Sequence, residues 1–457
     1  MISRSWFKWG QLALAAVGVT WLLVAGVAAT YVHNVRWDLS TGDRFTLSDH
    51  ARQVLAKVDR PVRIHAFIRT EDARNPYLKD LLWQVSNENP QIVYDVVDVN
   101  RNPAMAAQYG VSAYGSTVVE AGDKRADFSN PNESLLMSAL LKVLQEPKQV
   151  AVLSGHGECS VDNTDRNVGC SLLRDALSLE GYRVAKVSLL GGADLPEDTD
   201  ILVIPGAQDD LLESESAAIG RWLEKGGKLF VMVDPFRAPR LVSLLGFYGI
   251  EVGANVVLDT DNRMAGGEQW SAVVSDLNRQ HLVSGSLKSP PLFSLAAAVV
   301  ARSDDAIGRQ AEVLLKTGPR SWASYDPKIL EGSDATFVAG RDVNGPIPVT
   351  VAVTQPATKA TVEGMDIRIL AVGDSDFASN RFLDYLGNKD LLVNGVNWLA
   401  REDSLIGARP ARKAPGKNQF FISNADADGV FQAAVLWQPG LFLLVGIAVF
   451  VRRRFGA

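Results

Sequence analysis

The chain has 457 residues, a 47% hydrophobic share and a formal net charge of −6, enough apolar material for two or three domains rather than one. The charge is unevenly placed. Arg4 and Lys8 stand near the start and Arg452-Arg453-Arg454 near the end, so the long body between them carries −11, which argues against nucleic acid as a partner.

Two uncharged apolar stretches lie just inside those basic ends. Gly10–Val32 has 23 residues without a charge, about 30 Å as a helix, and Phe431–Val451 has 21. Both are expected to be transmembrane helices. The basic flanks then place residues 1–9 and 452–457 in the cytoplasm and residues 33–430 outside it. The first stretch has a second reading, a cleaved signal segment ending at Val27-Ala28-Ala29, although its apolar core is longer than such segments usually have.

Past the first stretch, Ser48 precedes a helical pattern at Asp49–Val58 and is a suitable N-cap. Strand Val62–Ile68, helix Tyr77–Asn87, strand Ile92–Val99 and a short helix at Pro103–Tyr109 follow. A hairpin then runs Ser116–Glu120 to Lys124–Phe128 across Gly122-Asp123, and helix Glu133–Gln145 closes the series. This βαβαββα order marks a domain over 38–147. The run DVVDVNRNPAMAAQYGVSAYGSTVVEAGDKR (Asp95–Arg125) resembles the second half of a thioredoxin-like domain. It lacks the Cys-x-x-Cys motif, and Gly115 or Ser116 stands where that family has a cis-proline, so the resemblance implies the shape without the redox chemistry.

The second domain, 148–400, opens on KQVAVLSGHGE. Strand Gln149–Ser154 is followed by a helical stretch at Leu172–Glu180, strands Arg183–Leu189 and Asp200–Pro205, helix Glu213–Glu224 and strand Lys228–Asp234. Alternation at this spacing predicts a doubly wound parallel sheet. Residues from about 262 to 360 read as a β-rich insertion, after which strand Ile367–Val372 and helix Lys389–Ala400 complete the unit. Residues 401–430 read as a linker.

In parallel sheets ligands gather beyond the carboxyl ends of the strands. There the sequence places Gly155, His156, Gly157 and Glu158 after one strand, Asp234 after another, and Asp374, Ser375 and Asp376 after a third, with Asp209-Asp210 following a fourth. Glycines admit close backbone approach, and His and carboxylates can serve as acid, base or ligand. The competing reading is structural, since Asp and Gly are also the ordinary residues of turns and caps. No Gly-x-Ser-x-Gly elbow, Walker motif or Gly-x-Gly-x-x-Gly follows a strand, so no cofactor, metal or ATP site is expected. Cys159 and Cys170 are the only cysteines. An oxidising compartment permits a disulfide between them, and two unpaired small residues are the alternative.

RFTLSDHARQVL (Arg44–Leu55), PNESLLMSALLKVL (Pro131–Leu144), LSGHGE (Leu153–Glu158), ILVIPGAQDDLLESE (Ile201–Glu215), GGKLFVMVDP (Gly226–Pro235), VGDSDFASN (Val372–Asn380) and NKDLLVNGVNWLA (Asn388–Ala400) together resemble the GldG family. These are auxiliary components of uncharacterised ABC-type transport systems related to gliding motility. The resemblance covers nearly the whole chain. It implies an inner-membrane accessory subunit working with an ABC permease and its ATPase, and a second domain similar to class I glutamine amidotransferases. Those enzymes carry a nucleophilic Cys where this chain has Asp234-Pro235, a departure that favours binding of a partner protein or envelope glycan over catalysis. A periplasmic hydrolase or metal-dependent enzyme, and a structural envelope scaffold, are the alternatives.

Overall fold

The computed structural model describes residues 17–21, 24–25, 46–68, 76–111, 115–129, 131–262, 269–331, 335–359, 365–406, 431–440, 443 and 446–447. The chain divides into residues Met1–Thr46 and Leu47–Ala457. In the first unit, residues 17–21 and 24–25 are helical and Trp21 is exposed. Of the two stretches expected to span a membrane, 16 of the 23 residues of 10–32 and 8 of the 21 of 431–451 lie outside the described residues. Among those described, no helix is long and apolar enough to cross a membrane.

The second unit begins with α1 (Asp49–Ala56), β1 (Val62–Ile68), α2 (Pro76–Glu88), β2 (Ile92–Asp98), α3 (Pro103–Gln108), β3 (Ser116–Ala121), β4 (Lys124–Ser129) and α4 (Glu133–Leu144). Ser48 caps α1 as its sequence position suggests, its Oγ accepting the Ala51 N–H at 3.1 Å. The four strands lie in the order β2-β1-β3-β4, with β1 and β2 parallel and the other pairs antiparallel. One face is covered by α1, α2 and α4, whose Val54, Leu55, Leu82, Val85, Leu136 and Leu140 bury against Ile64, Ala66 and Val119. On the other face Phe67, Val97 and Val118 pack under Ala106 of α3.

The larger sheet starts with β5 (Gln149–Leu153). After α5 (Ser171–Leu179) come β6 (Arg183–Val187), β7 (Thr199–Pro205), α6 (Glu213–Glu224), β8 (Lys228–Met232) and α7 (Pro239–Phe247). Short strands follow: β9 (Ile250–Val252), β10 (Val256–Leu258), β11 (Ser271–Val273), β12 (Asp276–Leu277), β13 (Leu292–Ser294) and β14 (Val299–Ala301). Then come β15 (Gln310–Lys316), β16 (Trp322–Ser324), β17 (Val343–Asn344), β18 (Pro348–Pro356), β19 (Asp366–Val372) and α8 (Asn388–Leu399). Eight of these strands form one sheet in the order β12-β15-β18-β19-β8-β7-β5-β6.

This corrects the expectation of a purely parallel sheet. Strands β6, β5, β7, β8 and β19 are parallel, but β18, β15 and β12 from the insertion add on antiparallel to one another and to β19. Of these three, only β18 is consecutive with its neighbour β19, an antiparallel pair that needs no crossover, while other elements intervene between β12, β15 and β18. The sheet is buried on both faces. Alternate residues such as Val150, Val152, Val203 and Phe230 meet α5 and α8, and Leu153, Leu202, Ile204 and Val231 meet α6 and α7.

The start of the expected linker also departs from expectation. Asp403–Leu405 forms a helical turn, and Leu405, 2% exposed, joins the core of the first domain. Beside it the Glu402 carboxylate bridges Lys57 at 2.6 Å and Lys148 at 2.9 Å.

Candidate functional site

Strands β5, β7, β8 and β19 are neighbours running the same way, so the loops after them share one rim of the sheet. The sequence-predicted residues fall into two clusters there. In the first, Gly155 and Gly157 have φ of +134° and +76°, which lets the chain turn at once and aim His156 inward. His156 Nε2 lies 2.8 Å from Glu215 Oε2, and Nδ1 lies 3.2 Å from Glu158 Oε1. Glu158 Oε2 also accepts the His156 amide N–H at 2.7 Å. All three side chains are nearly or wholly buried. Glu215 stands at the third position of α6, and its Oε2 also accepts the Leu212 N–H at 2.7 Å. It thereby satisfies the N–H of the N-cap residue, the reach-back half of a capping box, at the positive end of the helix.

The second cluster joins the ends of β8 and β19. Asp234 Oδ1 accepts the Ser375 N–H at 2.8 Å, and its Oδ2 accepts both Ser375 Oγ–H and Gln208 Nε2–H at 2.8 Å. Gly206, at φ +73°, makes room for this pairing. A Cβ there would stand 2.3 Å from Ser375 Oγ. Asp374 is wholly buried. Its oxygens accept N–H groups from Ser294 and Asp376, each at 2.9 Å. Burial, followed by the nearby Asp376 and Asp234, drives its carboxyl well above the usual range, against the pull of those two amides. Asp376 keeps part of its surface in solvent, but desolvation by the protein around it and the charge of Asp234 push it up to about 6, against Arg381.

Gln208 ties the clusters together, since its own N–H donates to the His156 carbonyl at 2.8 Å while its side chain holds Asp234. Asp209 donates its N–H to the same carbonyl, at 2.9 Å. Cys159 and Cys170 are joined as a disulfide with Cα atoms 5.7 Å apart. The loop they close grips Asn380, whose Nδ2 donates to the carbonyls of Asn163 at 3.1 Å and Asp165 at 2.9 Å.

Sequence reasoning did not single out Gln208, Glu215, Ser294, Asn380 and Arg381. An acid in the first turn of α6 was a visible signal for Glu215, and Asn380 lies within VGDSDFASN, but nothing local marks Ser294 as a partner of Asp374. Chemically, much of the rim turns its polar atoms on itself, while Glu215 Oε1 is buried without a hydrogen-bond partner among the described residues and Asp376 is exposed. Both nitrogens of His156 face carboxylates, and both oxygens of Asp234 are taken. Among the described residues, no group of three or more His, Cys, Asp or Glu is arranged to hold a metal ion.

Residues 41–130 match a family described as a domain of unknown function. No curated protein matches the chain. Among solved structures, the chain is similar to the mmIFT52 N-terminal domain at 16% identity and a TM-score of 0.39, over 55% of this chain and 96% of that one. A putative ThuA-like protein from Bacteroides uniformis is 14% identical, with a TM-score of 0.32, over 55% of this chain and 91% of that one. A thioredoxin from Halobacterium salinarum is 20% identical, with a TM-score of 0.17, over 19% of this chain and 79% of that one. Residues 147–395, more than half of the chain, match the family described as an ABC-type uncharacterized transport system; the chain belongs to this family of auxiliary components, and its role is an accessory one in such a system.

Proposed function

We propose that the protein is a non-enzymatic subunit anchored in the bacterial inner membrane by residues 10–32 and 431–451. Its body lies in the periplasm and binds a partner protein or envelope glycan, and it associates with an ABC permease and its ATPase. The GldG resemblance and the basic flanks support this reading. So do the βαβαββα order of a thioredoxin-like first domain and the parallel half of an amidotransferase-like second one. The observation that carries the non-enzymatic part is the inward use of the rim: His156 between Glu158 and Glu215, and Asp234 bound by Ser375 and Gln208.

A mild-detergent pull-down of the tagged full-length protein tests the transport part. An ABC ATPase and a multi-helix permease recovered in fixed ratio are the expected result, and a protein that never brings them down refutes it.

One observation favours a second, hydrolytic reading: the partly exposed carboxyl of Asp376, held up to about 6, is suited to give and take a proton. Asp376→Asn separates the two. An accessory subunit keeps its in-cell function and partners, whereas a hydrolase loses function with fold and partners intact.

A further inference from the structure

Strand β4 is the last strand of the four-stranded sheet and pairs only with β3. The hairpin turn Gly122-Asp123 has two residues, with Ala121 opposite Lys124 and Gly122 at φ +65°. In such a hairpin the flanking pair is hydrogen-bonded, so Lys124, Ala126 and Phe128 face β3 with their backbone groups, and Arg125, Asp127 and Ser129 face outward. Of the three charges on this edge, the two cations are engaged by the protein itself, and the Asp127 carboxylate is exposed. Lys124 reaches Glu146 at 2.7 Å, and Arg125 donates to the Tyr109 carbonyl at 2.6 Å with its guanidinium over the Tyr109 ring.

Alongside this edge runs a crevice of about 270 Å³ between β4, α4 and α5. Ala126, Phe128, Leu135 and Leu179 give it an apolar floor; Asp127 and Asp175 also line it, Asp175 paired with Arg174 at 3.2 Å, and Lys142, exposed and without an ion pair among the described residues, stands at its rim. Strands β2 and β6 are also edges, but this crevice adjoins β4.

An open backbone edge beside a pocket for alternate side chains is the arrangement by which a folded domain takes up an extended peptide as an added strand. We propose that β4 is a strand-addition site for an extended segment of a partner protein, which places an aliphatic side chain in the crevice and a carboxylate against Lys142. The inference rests on the reading that the body binds a partner protein, and it identifies the surface.

The probe is a fluorescein-labelled peptide, Thr-Val-Thr-Val-Thr-Val-Glu, titrated by anisotropy against the full-length protein in detergent. Asp127→Pro removes an outward N–H that β3 does not use, so the β3–β4 ladder stays intact. Should that variant melt early, Ser178→Phe fills the crevice from α5 without touching the ladder. Micromolar binding that weakens at least tenfold in Asp127→Pro or Ser178→Phe, and severalfold in Lys142→Glu, supports the site. No binding, or equal binding by the variants, overturns it. So does a wild-type dimer that Asp127→Pro dissociates, because that outcome assigns the edge to a second copy of the chain. The pull-down of permease and ATPase does not use this peptide, so either reading can fail while the other stands.

Discussion

If Glu215 is a strut beneath His156, replacing it by alanine should cost far more than replacing it by glutamine. Three terms set the size. The Leu212 N–H at the start of α6 loses its acceptor, a capping loss of about 1 kcal/mol. His156 loses a buried hydrogen-bond partner at 2.8 Å, roughly 3 kcal/mol when a buried polar group bonded to a carboxylate is left unsatisfied. The vacated methylene adds about 1 kcal/mol. These terms overlap, so the expected loss is about 4 kcal/mol. Glu215→Gln keeps one oxygen at the place of Oε2, where it still accepts from Leu212 and faces His156 Nε2, and should cost about 1–2 kcal/mol. Native-state hydrogen exchange read by mass spectrometry on peptides from β5 and α6 measures this locally. Protection there should fall about a thousandfold in Glu215→Ala, and a double-mutant cycle with His156→Ala should show a coupling of about 2 kcal/mol. A Glu215→Ala loss below about 1 kcal/mol, or one equal to that of Glu215→Gln, would refute the strut.

Three further outcomes follow from the same geometry. Gly206→Ala puts a methyl 2.3 Å from Ser375 Oγ at a φ of +73°, and should destabilise by roughly 3 kcal/mol, read as a lowered thermal midpoint. Replacing Cys159 and Cys170 by serine removes a cross-link between residues 11 apart and should cost about 3 kcal/mol, with looser exchange protection around Asn380. Asp374 and Asp376 have folded-state pKa values raised above the unfolded carboxylate value of about 4, Asp376 to about 6, so their contribution is full below about pH 4 and is lost as pH rises through those raised values. The melting temperature should accordingly fall between pH 4.5 and 7.5, and the fall should be shallower in the Asp374→Asn, Asp376→Asn double variant. An equally steep profile in that variant would show that other groups govern the slope.

The parts of the rim legible in the sequence were those that local chemistry dictates. Apolar runs ending in Gly-His-Gly-Glu, Asp-Pro and Gly-Asp-Ser-Asp mark strand ends at Ser154, Asp234 and Val372, within two residues of those found at Leu153, Met232 and Val372, and the Ser48 cap and the two-residue turn at Gly122 are equally local. What stayed hidden was pairing at a distance. Glu215 lies 59 residues from His156, and Ser294 lies 80 from Asp374. Hydrophobic alternation shows that Pro348–Val353 is a strand, but neither its direction nor its neighbour, so the antiparallel half of the sheet was not readable. Leu405 was missed because a single buried leucine in a polar stretch carries no period.

That leucine changes how the flanks relate to the body. The described chain enters the first domain through Ser48 and α1 and, after the whole α/β domain, returns at Glu402–Ile406 to that same domain. There Leu405 completes its core, and Glu402 bridges Lys57, just past α1, to Lys148, just before β5. The Lys57–Glu402 pair is largely sheltered, and Lys57 and Lys148 together hold the Glu402 carboxyl below its usual value despite partial burial. Leu47 and Leu405 therefore share the core of the first domain, and Ile406, in the core of the α/β domain, makes the Glu402–Ile406 turn a joint between the two.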